Sequence, residues 1–142
     1  MKIINNEIIS FLGEIIIKYN LGKDFVDNQE LNNLDPLERA FALIFNKNVS
    51  ERFKKGEDVM KSHPFFKLKF IIDKLINNII DYEDLPILIK NNLNISSLEA
   101  EEIYLLIKKN QEIKRLKESK EVDNNIIDRE IKEKSIGYQL LK

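Results

Sequence analysis

Along most of the chain apolar residues recur every three or four positions, and period-two alternation is nowhere sustained. The first such segment places Ile4, Ile8, Phe11, Leu12, Ile15 and Tyr19 on one side of a helical wheel, which predicts a helix from about Asn5 to Asn20. Gly22 follows as the C′ residue that would stop it. Residues 24–33 read as a short turn or helix around Phe25, Val26 and Leu31. A second long helix is expected from Asp35-Pro36, burying Leu37, Phe41, Ile44 and Phe45. Asp35 supplies its cap, Glu38 stands three residues on, and Pro36 sits where a first-turn amide would have no intrahelical partner. Val49 and Phe53 either extend that face or belong to a separate short helix capped by Ser50 and ending at Gly56.

After a polar connection over 56–62, Pro64 opens a strongly apolar helix to about Ile80. Leu68, Ile72, Leu75 and Ile79 form its stripe, with Phe65 and Ile76 flanking. Asp81 or Asp84 caps the next helix, with Pro86 in its first turn and Tyr82, Leu85, Ile89 and Leu93 along one side. In NISSLEAEEIYLLIKKN, Ser96 and Glu99 have the spacing of a capping box. That helix is expected to continue past Asn110 to about Lys120, with Ile103, Leu106, Ile107 and Ile113 inward. Residues 121–142 read as a charged amphipathic helix through Ile127, Ile131, Tyr138 and Leu141, or as a mobile tail. With valine sparse and hairpin dipeptides absent, the predicted fold class is all-α. The expectation is a single compact bundle of five or six helices over residues 1–120, with a charged C-terminal extension over 121–142.

Two stretches share one grammar. Asp24 to Glu38 and Asp84 to Glu99 each read as a short helix, a tight connection and a capped helix, at an offset of about 60 residues. The matching positions are mostly caps and asparagines, so one capping rule used twice accounts for the likeness better than a duplication does.

Composition narrows the picture. A chain of 142 residues with 43% hydrophobic and 33% charged residues fits one globular domain. The wealth of Ile, Asn and Lys beside few Ala and Gly and no Thr fits biased base composition, so pairs such as Asn32-Asn33 and Asn91-Asn92 carry little functional weight. The absence of Cys removes disulfides and thiolate chemistry. Asn5, Asn6, Glu7, Glu14 and Lys18 interrupt the apolar N-terminal stretch too often for a signal peptide or membrane span, so a cytoplasmic protein is expected. The net charge of −1 hides blocks of alternating sign. Residues 52–74 hold 7 basic and 3 acidic side chains, and residues 75–107 hold 1 basic and 6 acidic. Such blocks can pair within a bundle or between subunits.

Catalytic signatures are missing. The four glycines, at 13, 22, 56 and 137, build no phosphate loop, and the one histidine, His63, has no Glu three residues before it to suggest a di-metal pair. At a predicted helix start, His63 is read as a capping or exposed side chain, where the helix dipole disfavours its charged form. The carboxylate clusters Asp81/Glu83/Asp84 and Glu99/Glu101/Glu102 also fall at helix starts, where they complement the dipole. The expectation is therefore no enzyme, no catalytic residue, no metal, no cofactor and no small-molecule substrate.

Two surfaces stand out. On the wheel of residues 64–80, Phe66 and Phe70 oppose the core stripe, among Lys67, Lys69 and Lys74. Either they meet a partner or the helix is sandwiched. On the helix after Ser96, Leu98, Leu105 and Leu116 form a minor seam opposite Ile103, Leu106 and Ile113. These residues are the expected interaction surface of an adaptor or assembly protein that binds another protein or itself, without a membrane. The alternative is a nucleic-acid-binding helical protein using segment 52–74, with Arg52, Lys54, Lys55, Lys61, Lys67, Lys69 and Lys74 around an aromatic stack.

Overall fold

The computed structural model describes residues 5–120, so the expectations placed on Ile4 and on residues 121–142 fall outside them. Within the described residues the chain is all-α, with no strand. The helices are α1 (Asn6–Lys18), α2 (Pro36–Ile44), α3 (Lys47–Lys54), the single turn α4 (Val59–Ser62), α5 (Pro64–Ile76), α6 (Leu85–Leu93) and α7 (Ser97–Lys109). A further helical run, α8, occupies 111–120. Short 3-10 turns cover Asn28–Leu31 and Tyr82–Asp84. The helix α1 packs on α2, α5 lies between α1 and α6, and α6 packs on α7. One contiguous core joins Leu12 and Ile16 to Leu43, Leu68, Ile72, Ile89, Ile103 and Ile113.

Helix starts follow the capping chemistry read from the sequence. The Asp35 carboxylate accepts the Glu38 amide at 2.9 Å, which holds its pKa below the usual range. Ser96 Oγ accepts the Glu99 amide at 3.1 Å, and Glu99 Oε1 accepts the Ser96 amide at 3.4 Å, completing the capping box. The two look-alike stretches share only that cap, because a 3-10 turn precedes α2 whereas a nine-residue helix precedes α7.

Helix ends are where the structure departs from expectation, and asparagine is the reason. Asn20 has φ 53°, with the Leu21 amide donating to Ile16 O at 2.9 Å. Asn20, not Gly22, is thus the left-handed stop of α1. Gly22 serves packing instead: a Cβ there would lie 2.7 Å from Leu43 Cδ1. Asn78, at φ 59°, ends α5 in the same way, so the helix stops short of Ile80. Ile79 is left exposed, and Ile71 takes its expected place in the buried stripe. At Asn110 the backbone turns extended (φ −72°, ψ 115°), and its side chain accepts the Ile113 amide at 2.9 Å. The expected long helix is therefore two, α7 and α8.

The middle of the chain is also divided more finely than expected. The helix α2 buries Ala40, Leu43 and Ile44 and leaves Phe45 exposed, with Phe41 half-buried and stacked on it at 6.2 Å. The cause is a close crossing: a Cβ on Gly13 would meet the Ala40 Cβ at 2.6 Å, so Ala40 must face α1 and the flanking aromatics turn away. Asn46, not Ser50, caps α3, accepting the Val49 amide at 3.0 Å. Val49 is buried while Phe53 is exposed. The supposed polar connection 56–62 contains α4, anchored by the fully buried Val59.

Candidate interaction surface

The helix α5 starts on an unusual cap. His63 is fully buried: its Nδ1 accepts the Phe65 amide at 3.1 Å, and its Nε2 lies 3.1 Å from Leu43 O. An accepting Nδ1 leaves the proton on Nε2, which donates to the carbonyl. The ring lies 4.2 Å from Phe25, which the Arg52 guanidinium covers at 4.3 Å. Desolvation, with a smaller push from Arg52, drives the His63 pKa down and keeps the ring neutral. His63 is a cap, as one of the two expectations had it; exposed it is not. With both nitrogens committed to the backbone, no lone pair remains for a metal. Among the described residues no three His, Asp or Glu side chains gather into a metal-holding group.

From this anchored start, α5 buries Phe65, Leu68, Ile71, Ile72 and Leu75 and turns Lys67, Phe70 and Lys74 outward. The single turn α4 sets Met60 and Lys61 beside them, and α6 adds Leu88, Asn91 and Asn92. Together they line a groove of ≈ 390 Å³. Phe70 is 52% exposed and Met60 46% exposed. Lys61 lies 3.9 Å from Asp58, whereas Lys67 and Lys74 have no ion-pair partner among the described residues.

Three of the predicted surface residues, Lys67, Phe70 and Lys74, therefore converge. Two do not. Phe66 is half-buried and packed against the core, edge-on to His63 at 5.9 Å and to Phe65 at 5.6 Å. Lys69 bonds Asp73 at 2.8 Å along its own helix and does not line the groove. Met60 and Leu88 are among the groove residues that the helical wheel of α5 does not bring together. The available signal was the Asp58-Val59-Met60 stretch, a cap followed by two apolar residues inside a polar connection; Asp58 indeed accepts the Lys61 amide at 3.3 Å.

The second predicted surface is divided as well. Leu98 and Leu105 are 71% and 44% exposed on the outward side of α7, with Glu101 and Glu102 between them. Glu102 accepts the Tyr19 hydroxyl at 2.9 Å. Leu116 is not part of this seam: the break at Asn110 changes the helical phase, and Leu116 packs half-buried against the core. The start of α8 is tied to α1 by Asn5, whose amide donates to Glu112 at 2.9 Å. Arg115 and that amide hold the Glu112 carboxyl down to about 2.

The basic residues of segment 52–74 are partly committed inside the fold. Arg52 donates to Asp24 O at 2.6 Å, pairs with Glu57 at 3.4 Å and covers Phe25. No described helix is long and apolar enough to cross a membrane. No protein-family model matches the chain, and comparison with curated proteins and with solved structures gives no match either.

Proposed function

We propose that this is a non-enzymatic protein–protein interaction module whose docking site is the α4–α5–α6 groove. The supporting observation is Phe70, half exposed at the mouth of a groove edged by Lys61, Lys67 and Lys74. An exposed aromatic on a rigid helix beside Met and Leu side chains is the kind of anchor that dominates interface energetics, and the lysines select an acidic partner surface. Met60 adds an adaptable apolar contact. The nucleic-acid alternative has less to stand on, because Arg52 and Lys69 are engaged by neighbours within the chain.

The test uses two single variants and a capture experiment. Phe70→Ser should leave stability within about 0.5 kcal/mol, as exposed substitutions generally do. Phe66→Ser should cost roughly 2–3 kcal/mol, somewhat less than a fully buried Phe. Tagged wild-type protein in its native cells should retain a protein partner that Phe70→Ser loses and nuclease treatment does not release. Retention by the variant would refute the groove, and nuclease-sensitive retention would favour nucleic acid.

A further inference from the structure

The charge blocks of the sequence can be followed into the fold. Among the described residues the ion pairs are Glu14–Arg39, Arg52–Glu57, Asp58–Lys61, Lys69–Asp73 and Glu112–Arg115. Three of them lie inside the basic block 52–74, and none joins it to the acidic block 75–107. Part of the acidic block stands near lysines: Asp81 and Glu83 line a cleft together with Lys108, Lys114, Lys117 and Glu118. The glutamates of α7 face outward instead. The basic residues of α7, Lys108 and Lys109, stand in its last turn, and before them residues 97–107 contain three Glu, with the exposed Leu98 and Leu105 bracketing Glu101 and Glu102.

We propose that the occupant of the α4–α5–α6 groove is the outward face of α7 from a second copy of this chain. The inference rests on the groove being a docking site, as argued above, and names what fills it. The two surfaces match in both kind and spacing of groups. One is a mixed groove in which Met60, Phe70, Ile71 and Leu88 stand among three lysines and two asparagines; the other is a helix whose two leucines, seven residues apart, lie on one side with two glutamates between them. Leu98 and Leu105 are two helical turns apart, about 10 Å, and Lys67 and Lys74 on α5 have the same separation. Laid across α5, the α7 helix sets Glu101 and Glu102 among Lys61, Lys67 and Lys74 and its leucines against Phe70 and Met60. Pairing a patch with a different patch on the next copy is a heterologous contact, so the charge that each block leaves uncompensated within its chain is compensated between chains.

Size-exclusion chromatography with light scattering tests this on the full chain. The wild type should gain mass between about 10 μM and about 1 mM, and that gain should fall at least about tenfold in apparent affinity from roughly 50 mM to roughly 500 mM salt. The double variants Lys67→Glu/Lys74→Glu and Glu101→Lys/Glu102→Lys should each remain monomeric, with far-UV circular dichroism unchanged. Mixed in equal amounts they should recover the wild-type mass, since each then meets a face of opposite sign. A monomeric wild type at about 1 mM, association that survives either reversal, or a mixture that stays monomeric would overturn the proposal. If the wild type is monomeric while capture of a partner through Phe70 persists, self-pairing alone falls; loss of both removes the groove as well.

Discussion

Replacing His63 offers the most quantitative check on how this fold is held. Truncation to Ala removes two hydrogen bonds and two aromatic contacts, but their costs are unequal. Leu43 O retains the Asn46 side-chain amide at 3.1 Å, so it stays satisfied. The Phe65 amide has no such substitute: it lies in the first turn of α5, where no intrahelical acceptor exists, and Phe65 is buried. An orphaned buried donor costs about 1–3 kcal/mol. The void beside Phe25 and Phe66 adds about 2 kcal/mol at the usual cavity rate. His63→Ala should therefore cost about 3–5 kcal/mol, a large share of the ~5–15 kcal/mol that holds a domain together. His63→Leu fills the void but leaves the orphan, so about 1–3 kcal/mol is expected. His63→Asn restores a favoured cap and should be mildest. Urea unfolding reads the order Asn, Leu, Ala; a cost for Ala below about 1 kcal/mol, or Leu milder than Asn, would refute the assigned bonds.

The same residue predicts a pH dependence of definite sign. Burial lowers the folded pKa of His63 beneath its ordinary value of 6.5. Between those two values the unfolded chain binds a proton that the folded chain does not. Stability is thus complete above pH 6.5 and is lost as pH falls through it, with a slope of up to about 1.4 kcal/mol per pH unit until the folded pKa is reached. Protonated Nδ1 would also present a donor to the Phe65 amide it now caps. Because His63 is the only histidine, this slope is separable from the carboxylates, which titrate lower. Wild type should lose stability between pH 6.5 and 5 while His63→Asn does not; equal slopes would show that the ring is not held neutral by the fold.

Two further predictions concern backbone geometry. Asn20→Ala should destabilise by roughly 1 kcal/mol while Asn20→Gly should be close to neutral, since the position has positive φ; thermal melting separates the two. Asn78→Gly should still lower the melting temperature, because the Asn78 side chain bonds both the backbone carbonyl and the buried ammonium of Lys117. Gly13→Ala should lower stability by about 1–3 kcal/mol despite its better helix propensity, because the new methyl group meets Ala40, and a rise in melting temperature would contradict the close crossing of α1 and α2.

What the sequence conveys well is set by the range of the interactions involved. Capping is local, and Asp35 and Ser96 do what their spacing implies. The helical period is local too, which is why the inward positions Leu12, Leu68, Ile72, Ile89 and Ile103 are correctly read. The α2 face is not local. Any wheel centred on its largest residues turns Phe41 and Phe45 inward, and only the approach of Gly13 from α1 makes Ala40 the buried centre instead. His63 is similar: its cap follows from its place before Pro64, but its burial depends on Phe25 and on Leu43, 20 residues away.

Reading asparagine only as a product of composition hides two helix stops, and those stops account for the misplacing of Ile79 and Leu116. A helix wheel remains valid only while the helix continues, so a single stop reassigns every residue beyond it. Asn78 ends α5, and Ile79 passes from the expected stripe to solvent. Asn110 ends α7 and restarts a helix with its own cap, and Leu116 passes from the expected outer seam to the core. The same event isolates Leu98 and Leu105 as a short face two turns long, whose only charged residues between the leucines are acidic. Lys108 and Lys109 follow in the last turn of α7, so the acidic part of this face is the stretch between the leucines. That stretch holds the negative charge that the lysine-edged groove beside Phe70 lacks.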